Sequence, residues 1–160
     1  MKTPVHSLAG TLALVFCFSA CLSGCVTQEK QDFQTIADFQ RNTTGQYRSD
    51  SGAMLYIVPV RSRMVTDESM YIERHDPNGS IFGRLLDLKI SDDGKKVTQA
   101  ALTFTQEGQW RNLRENPELF TALLPKDVRP AGTCDIQPSE DLNSVSYSCG
   151  GSPPEIFRRQ

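Results

Sequence analysis

The sequence predicts a mainly β, α+β domain: an antiparallel sheet strongly curved or closed into a barrel, with an N-terminal helix and one helix before the last strands. Three observations carry this. Short apolar stretches, among them 53–60 and 80–90, alternate with turn signals such as Asp76-Pro77-Asn78-Gly79 and Ser91-Asp92-Asp93-Gly94. Helical periodicity is confined to 32–42 and 109–124. A sheet of five or more strands loses its edges most simply by curling around an apolar interior with a helix over one end.

The chain opens with an export-type segment. Lys2 supplies a positive start, Leu8 to Ala20 an apolar run, and Leu22-Ser23-Gly24-Cys25 a small-residue cleavage site. The run is short of the about 20 apolar residues a membrane span needs. Its last four residues resemble a bacterial lipobox, whose thiol is acylated before cleavage. The expectation is a signal peptide over 1–24 and a mature chain starting at a lipidated Cys25. A rival site at Cys21 follows Phe18-Ser19-Ala20, with an aromatic where a lipobox has Leu. A buried apolar helix would leave Lys2 and the polar change after Cys25 unexplained. Several acyl chains, at about 0.8 kcal/mol per buried methylene, anchor a domain without any transmembrane helix. Val26, rather than Asp, follows the cysteine, which points to the outer membrane, facing the periplasm.

Cys17 and Cys21 leave with the leader and Cys25 is alkylated, so Cys134 and Cys149 remain. In an oxidising envelope this pair is expected to form a disulfide, worth about 3 kcal/mol for a loop of about 15 residues. A metal site would need more ligands than the one mature histidine, His75, provides. The net charge of −2 and the lack of a long Lys/Arg run give no reason to expect a nucleic-acid partner.

Residues 25–32 read as a tether and 33–149 as one domain. Phe33, Ile36 and Ala37 give 32–42 an apolar helical face. Ala53–Val60 reads as a strand whose Pro59 belongs at an edge or bulge. Ser69–Arg74 and Ser80–Ile90 form a hairpin about Asn78-Gly79, a pair that tolerates positive φ, and Val97–Thr105 continues the meander. On 80–90, Arg84 stands in an apolar row with Phe82, Leu86 and Leu88. Asn116-Pro117-Glu118 starts the second helix, which Pro125 stops. Two β-like pieces surround Cys134 and Ser144–Ser148. The last segment, 150–160, with Pro153-Pro154 and Arg158-Arg159, reads as a disordered tail.

Signatures of common catalysts are absent: there is no Walker loop, Gly-x-Ser-x-Gly elbow, Cys-x-x-Cys or His-Glu-x-x-His. No catalysis is therefore expected from the residues, and His75, beside a turn, reads as a solvated surface group. Tyr71, Glu73 and Arg84 admit two readings. Alternation on neighbouring strands brings all three into a barrel interior as ligand-binding groups, or Tyr71 packs in a core while Glu73 and Arg84 form a cross-strand ion pair.

Met70-Tyr71-Ile72-Glu73, Phe82-Gly83-Arg84, Asn116-Pro117-Glu118-Leu119, Leu123-Leu124, Asp127-Val128, Cys134-Asp135 and Gly45-Gln46-Tyr47 occur in an order that resembles the phycobiliprotein lyases of the CpcT/CpeT type. The motifs span most of 33–149. The departures are Arg74 where that family has Gln and one residue inserted between Gly132 and Cys134. The resemblance implies a calycin-like (lipocalin-like) antiparallel barrel whose mouth holds a bilin-like ligand. Tyr71, Glu73 and Arg84 would line the cavity, with Arg84 on a ligand carboxylate and Glu73 hydrogen-bonding or protonating a polar centre.

Together these readings predict an envelope lipoprotein that binds a small amphipathic or acidic ligand, without catalysis and without an obligate cofactor. A structural lipoprotein that binds an envelope protein partner is the alternative. Chromophore lyase activity, with Glu73 as its catalytic group, is a third.

Overall fold

The computed structural model describes residues 35–65, 68–90, 97–106, 110 and 113–160. The leader, Cys25, the tether and the Ser91–Gly94 turn lie outside the described residues. Eight strands follow one another as sequential antiparallel neighbours: β1 (Gly45–Ser49), β2 (Met54–Val60), β3 (Ser69–His75), β4 (Ile81–Ile90), β5 (Val97–Phe104), β6 (Val128–Pro138), β7 (Ser144–Cys149) and β8 (Glu155–Arg159). β8 also pairs with β1, Tyr47 opposite Arg159 and Ser49 opposite Phe157, so the sheet closes into a barrel and no strand edge is left bare.

Alternation along the strands divides the side chains between two cores. The inward set includes Tyr47, Leu55, Ile57, Ile72, Leu86 and Phe157, all fully buried. An eight-stranded barrel is just wide enough for side chains to fill, and these fill the end nearer α1 (Ile36–Thr43). Thr35 caps that helix, its hydroxyl accepting from the Asp38 N–H at 3.1 Å. Ile36 and Phe39 face the lumen core, and Gln40 donates to the Ser69 carbonyl at 3.0 Å. α1 thus closes the end where β2 gives way to β3. Pro59 sits there too, past the last β1 partner of β2 at Ile57, where a missing N–H breaks no ladder bond.

The outward set forms a second core, because the connection from β5 to β6 lies over the outside of the wall. Leu113, Phe120 and Leu123 of that connection pack on Val60, Tyr71, Leu85 and Phe104. The helix expected there is instead two short 3₁₀ turns, Pro117–Ala122 and Pro125–Asp127. Leu123 and Leu124 are extended between them. Pro125 disfavours α geometry for the residue before it.

Two further expectations are corrected. The tail 150–160 is not disordered: Glu155–Arg159 is β8, a strand of the sheet. The Asp76–Gly79 turn holds positive φ at Gly79 alone. The Gly79 N–H donates to the Asp76 carbonyl and the Asp76 N–H to the Ser80 carbonyl, so the loop is longer than a two-residue Asn-Gly turn. Cys134 and Cys149 stand opposite each other on β6 and β7, Cα atoms 4.1 Å apart, at disulfide distance.

Candidate functional site

The mouth opposite α1 holds a group of polar lumen-facing residues. Arg74 reaches over β2 and β1 to bond the Glu155 carboxylate of β8 at 2.8 Å, and it also holds Asp76 at 2.6 Å. Ser51 donates to Glu155 at 2.8 Å and shares a hydrogen bond with Ser49. Burial alone would push the Glu155 carboxyl up, but these hydroxyls and Arg74 outweigh it and hold the group below its usual value. Burial pushes the Tyr147 phenol up, against the pull of Arg84 and Arg74.

Arg84 is different from Arg74. Its Nη1 donates to the Gly83 carbonyl at 2.7 Å and to the Thr103 hydroxyl at 3.0 Å. Both acceptors are neutral, and among the described residues no carboxylate pairs with it. A guanidinium has five N–H donors, so this half-buried cation keeps capacity for an anion. Phe82, two residues away on the same face, is 42% exposed at the rim.

Tyr71 and Glu73 do not join Arg84. Ile72, not Glu73, is the partner of Arg84, so Arg84 points into the lumen while Tyr71 and Glu73 point out. This corrects the expectation of one shared cavity and also excludes a Glu73–Arg84 ion pair. Glu73 is 7% exposed and accepts from the Tyr71 hydroxyl at 3.0 Å and from His75 Nε2 at 2.6 Å. Arg114, from the covering connection, lies 3.8 Å from the same carboxylate and stacks over the Tyr56 ring at 3.8 Å. Burial, then the neighbouring carboxylate, drive the Tyr71 phenol far above its ordinary value. The carboxylate is satisfied on both oxygens, and the cluster fastens the covering segment to the wall.

His75, Tyr56 and Arg114 are therefore parts of this network that sequence reasoning missed. The His75 spacing of two from Glu73 was the available signal, since residues i and i+2 share a face of a strand. Arg114 had none, because its partners are 41 and 58 positions away in the chain. No group of three or more His, Cys, Asp or Glu able to hold a metal occurs among the described residues. No family model, curated protein or solved structure matches the chain.

Proposed function

We propose that the chain is an envelope lipoprotein, moored through acylated Cys25, whose barrel mouth binds a small amphipathic acid without transforming it. The observation that carries this reading is Arg84: a lumen-facing cation whose only acceptors among the described residues are neutral. A carboxylate on Arg84 would make charge-assisted, bidentate bonds. The exposed ring of Phe82 offers the apolar part of such a ligand a surface beside it. Arg74 serves the mouth differently, since its charge is already spent on Asp76 and Glu155. Glu73 has no part in binding on this reading.

Native mass spectrometry of the protein from its own envelope tests the proposal. An acidic adduct should accompany the wild type and be lost from Arg84→Leu. A bare protein in both samples would reject it. Labelled palmitate should enter the wild type and not Cys25→Ser, which tests the anchor separately. A second reading, a lipoprotein that binds a protein partner, draws on the filled lumen beside α1 and on exposed Ile81, Leu119 and Leu124. It predicts a stoichiometric crosslinked partner in cells.

A further inference from the structure

Along β6 the register against β5 slips by one residue. Cys134 faces Gln99 and Thr133 faces Ala100, but beyond the slip Pro130 faces Leu102, Arg129 faces Thr103 and Val128 faces Phe104. Had the ladder continued unbroken, Arg129 would stand opposite Phe104, whose ring belongs to the outer core. One step of register exchanges the faces of a sheet, so the extra residue brings Arg129 to the lumen side. Bulges occur at barrel rims and beside sites, where they re-aim a side chain.

Arg129 is exposed at that rim, and among the described residues no carboxylate pairs with it. Thr103, its neighbour on β5, is the residue whose hydroxyl holds Arg84 at 3.0 Å. Since β5 lies between β4 and β6, Arg84 and Arg129 flank Thr103 across two strand spacings, about 10 Å. Two cations so placed repel each other until an anion comes between them. The net charge of the chain is −2, so this is a local excess of positive charge and not a property of the whole surface. We infer that Arg129 is a specificity-determining residue of the proposed site and that the head it selects is doubly charged: a phosphate monoester on an amphipathic chain. This rests on the reading of Arg84 as the acid-binding group. A phosphate monoester carries nearly two charges at neutral pH and three acceptor oxygens, enough for two guanidinium groups, whereas one guanidinium already occupies both oxygens of a carboxylate. Such a head stays at the rim, above the packed side chains of Ile72, Leu86 and Ala101, and its chain lies on exposed Phe82 without entering the lumen.

Isothermal titration calorimetry with hexyl phosphate, hexanoate and inorganic phosphate tests the inference on the processed protein in phosphatidylcholine nanodiscs, with empty nanodiscs as blank. The buffer is held at about pH 8, where the monoester keeps both charges. Hexyl phosphate should bind the wild type about tenfold more tightly than hexanoate, the worth of one further charge-assisted bond at an exposed rim. Arg129→Gln should erase that preference, and Arg84→Leu should weaken both organic probes. Arg61→Gln removes an exposed cation beyond the α1 end of β2 and should keep the preference; its loss there as well would overturn the inference in favour of diffuse charge. Inorganic phosphate bound as tightly as hexyl phosphate would overturn the amphipathic ligand in favour of the free ion. Equal wild-type affinities for hexyl phosphate and hexanoate, with Arg84→Leu still weakening both, would overturn the role of Arg129 and leave the acid site standing. Failure of the wild type to bind any of the probes would overturn both.

Discussion

At the scale of single residues, one unit of register decides which groups share a site. Had Asn78-Gly79 formed a two-residue turn, Pro77 would face Ser80 and Glu73 would face Arg84. The longer loop pairs His75 with Ile81 and Ile72 with Arg84, and a slip of one sends a side chain to the other face of the sheet. The residue types of the candidate site were thus legible in the sequence, but their grouping depended on a turn geometry that Asn-Gly does not fix alone. The same register puts Gly83 against Tyr71. A Cβ on Gly83 would lie 2.7 Å from the Tyr71 hydroxyl and 3.2 Å from its ring, and that ring is held by Phe104 and Phe120. Gly83→Ala should destabilise the protein by about 1–3 kcal/mol through overpacking, read as a lower urea midpoint. An unchanged midpoint would mean that Tyr71 has room to retreat, against the packing described here. Ligand binding at the mouth should survive the substitution, since Tyr71 lies outside the wall.

Among the elements, β8 matters most to closure and was least visible beforehand. Its lumen-facing residues are Glu155, Phe157 and Arg159, only one of them apolar, and Pro153-Pro154 precede it, so neither hydrophobic alternation nor β propensity marks it. What fixes it is distant. Arg159 donates to the Asn42 and Thr44 carbonyls at the end of α1, each at 2.9 Å, and to the Tyr47 hydroxyl at 2.7 Å. Local pattern cannot carry such contacts. The meander β3 to β5, by contrast, is specified by its own turns and apolar runs, and there the expected strands agree with the observed ones to within a residue. Phe157→Ala should cost about 3–5 kcal/mol, as a buried aromatic does. It should also make the protein prone to associate, because loosening β8 bares the edges of β1 and β7; light scattering during refolding would detect this, and a monodisperse variant of native stability would contradict it. Next to β8, the Cys134–Cys149 pair stands at disulfide distance between β6 and β7, and as a disulfide it would staple the two strands. Cys134→Ser with Cys149→Ser should lower stability by about 3 kcal/mol on the chain-entropy model, measured against the oxidised wild type by urea denaturation.

For the molecule as a whole, the arrangement of titrating groups sets a stability profile with two descending limbs. On the acid side, Glu155 has a folded value below its reference of 4.5. A depressed carboxylate stabilises the fold fully above the unfolded value, and the contribution disappears as pH falls through the folded one. Asp141 behaves alike, held low first by the Ser139 hydroxyl and then by Asn143. On the alkaline side, Tyr71, Tyr147 and Tyr47 are all raised, in each case chiefly by burial. A phenol raised in the fold stabilises it below the unfolded value of about 10 and ceases to do so as pH climbs past that point. Stability should therefore be flat between about pH 5 and pH 9.5 and fall on both sides. Glu155→Gln should reduce the acid slope while leaving the alkaline one intact. Tyr147→Phe should do the opposite, trimming only the alkaline limb. Urea midpoints measured from pH 3 to pH 11 decide the matter: an acid limb of wild-type steepness in Glu155→Gln would mean that the clamp from Arg74 across the mouth does not hold the barrel together.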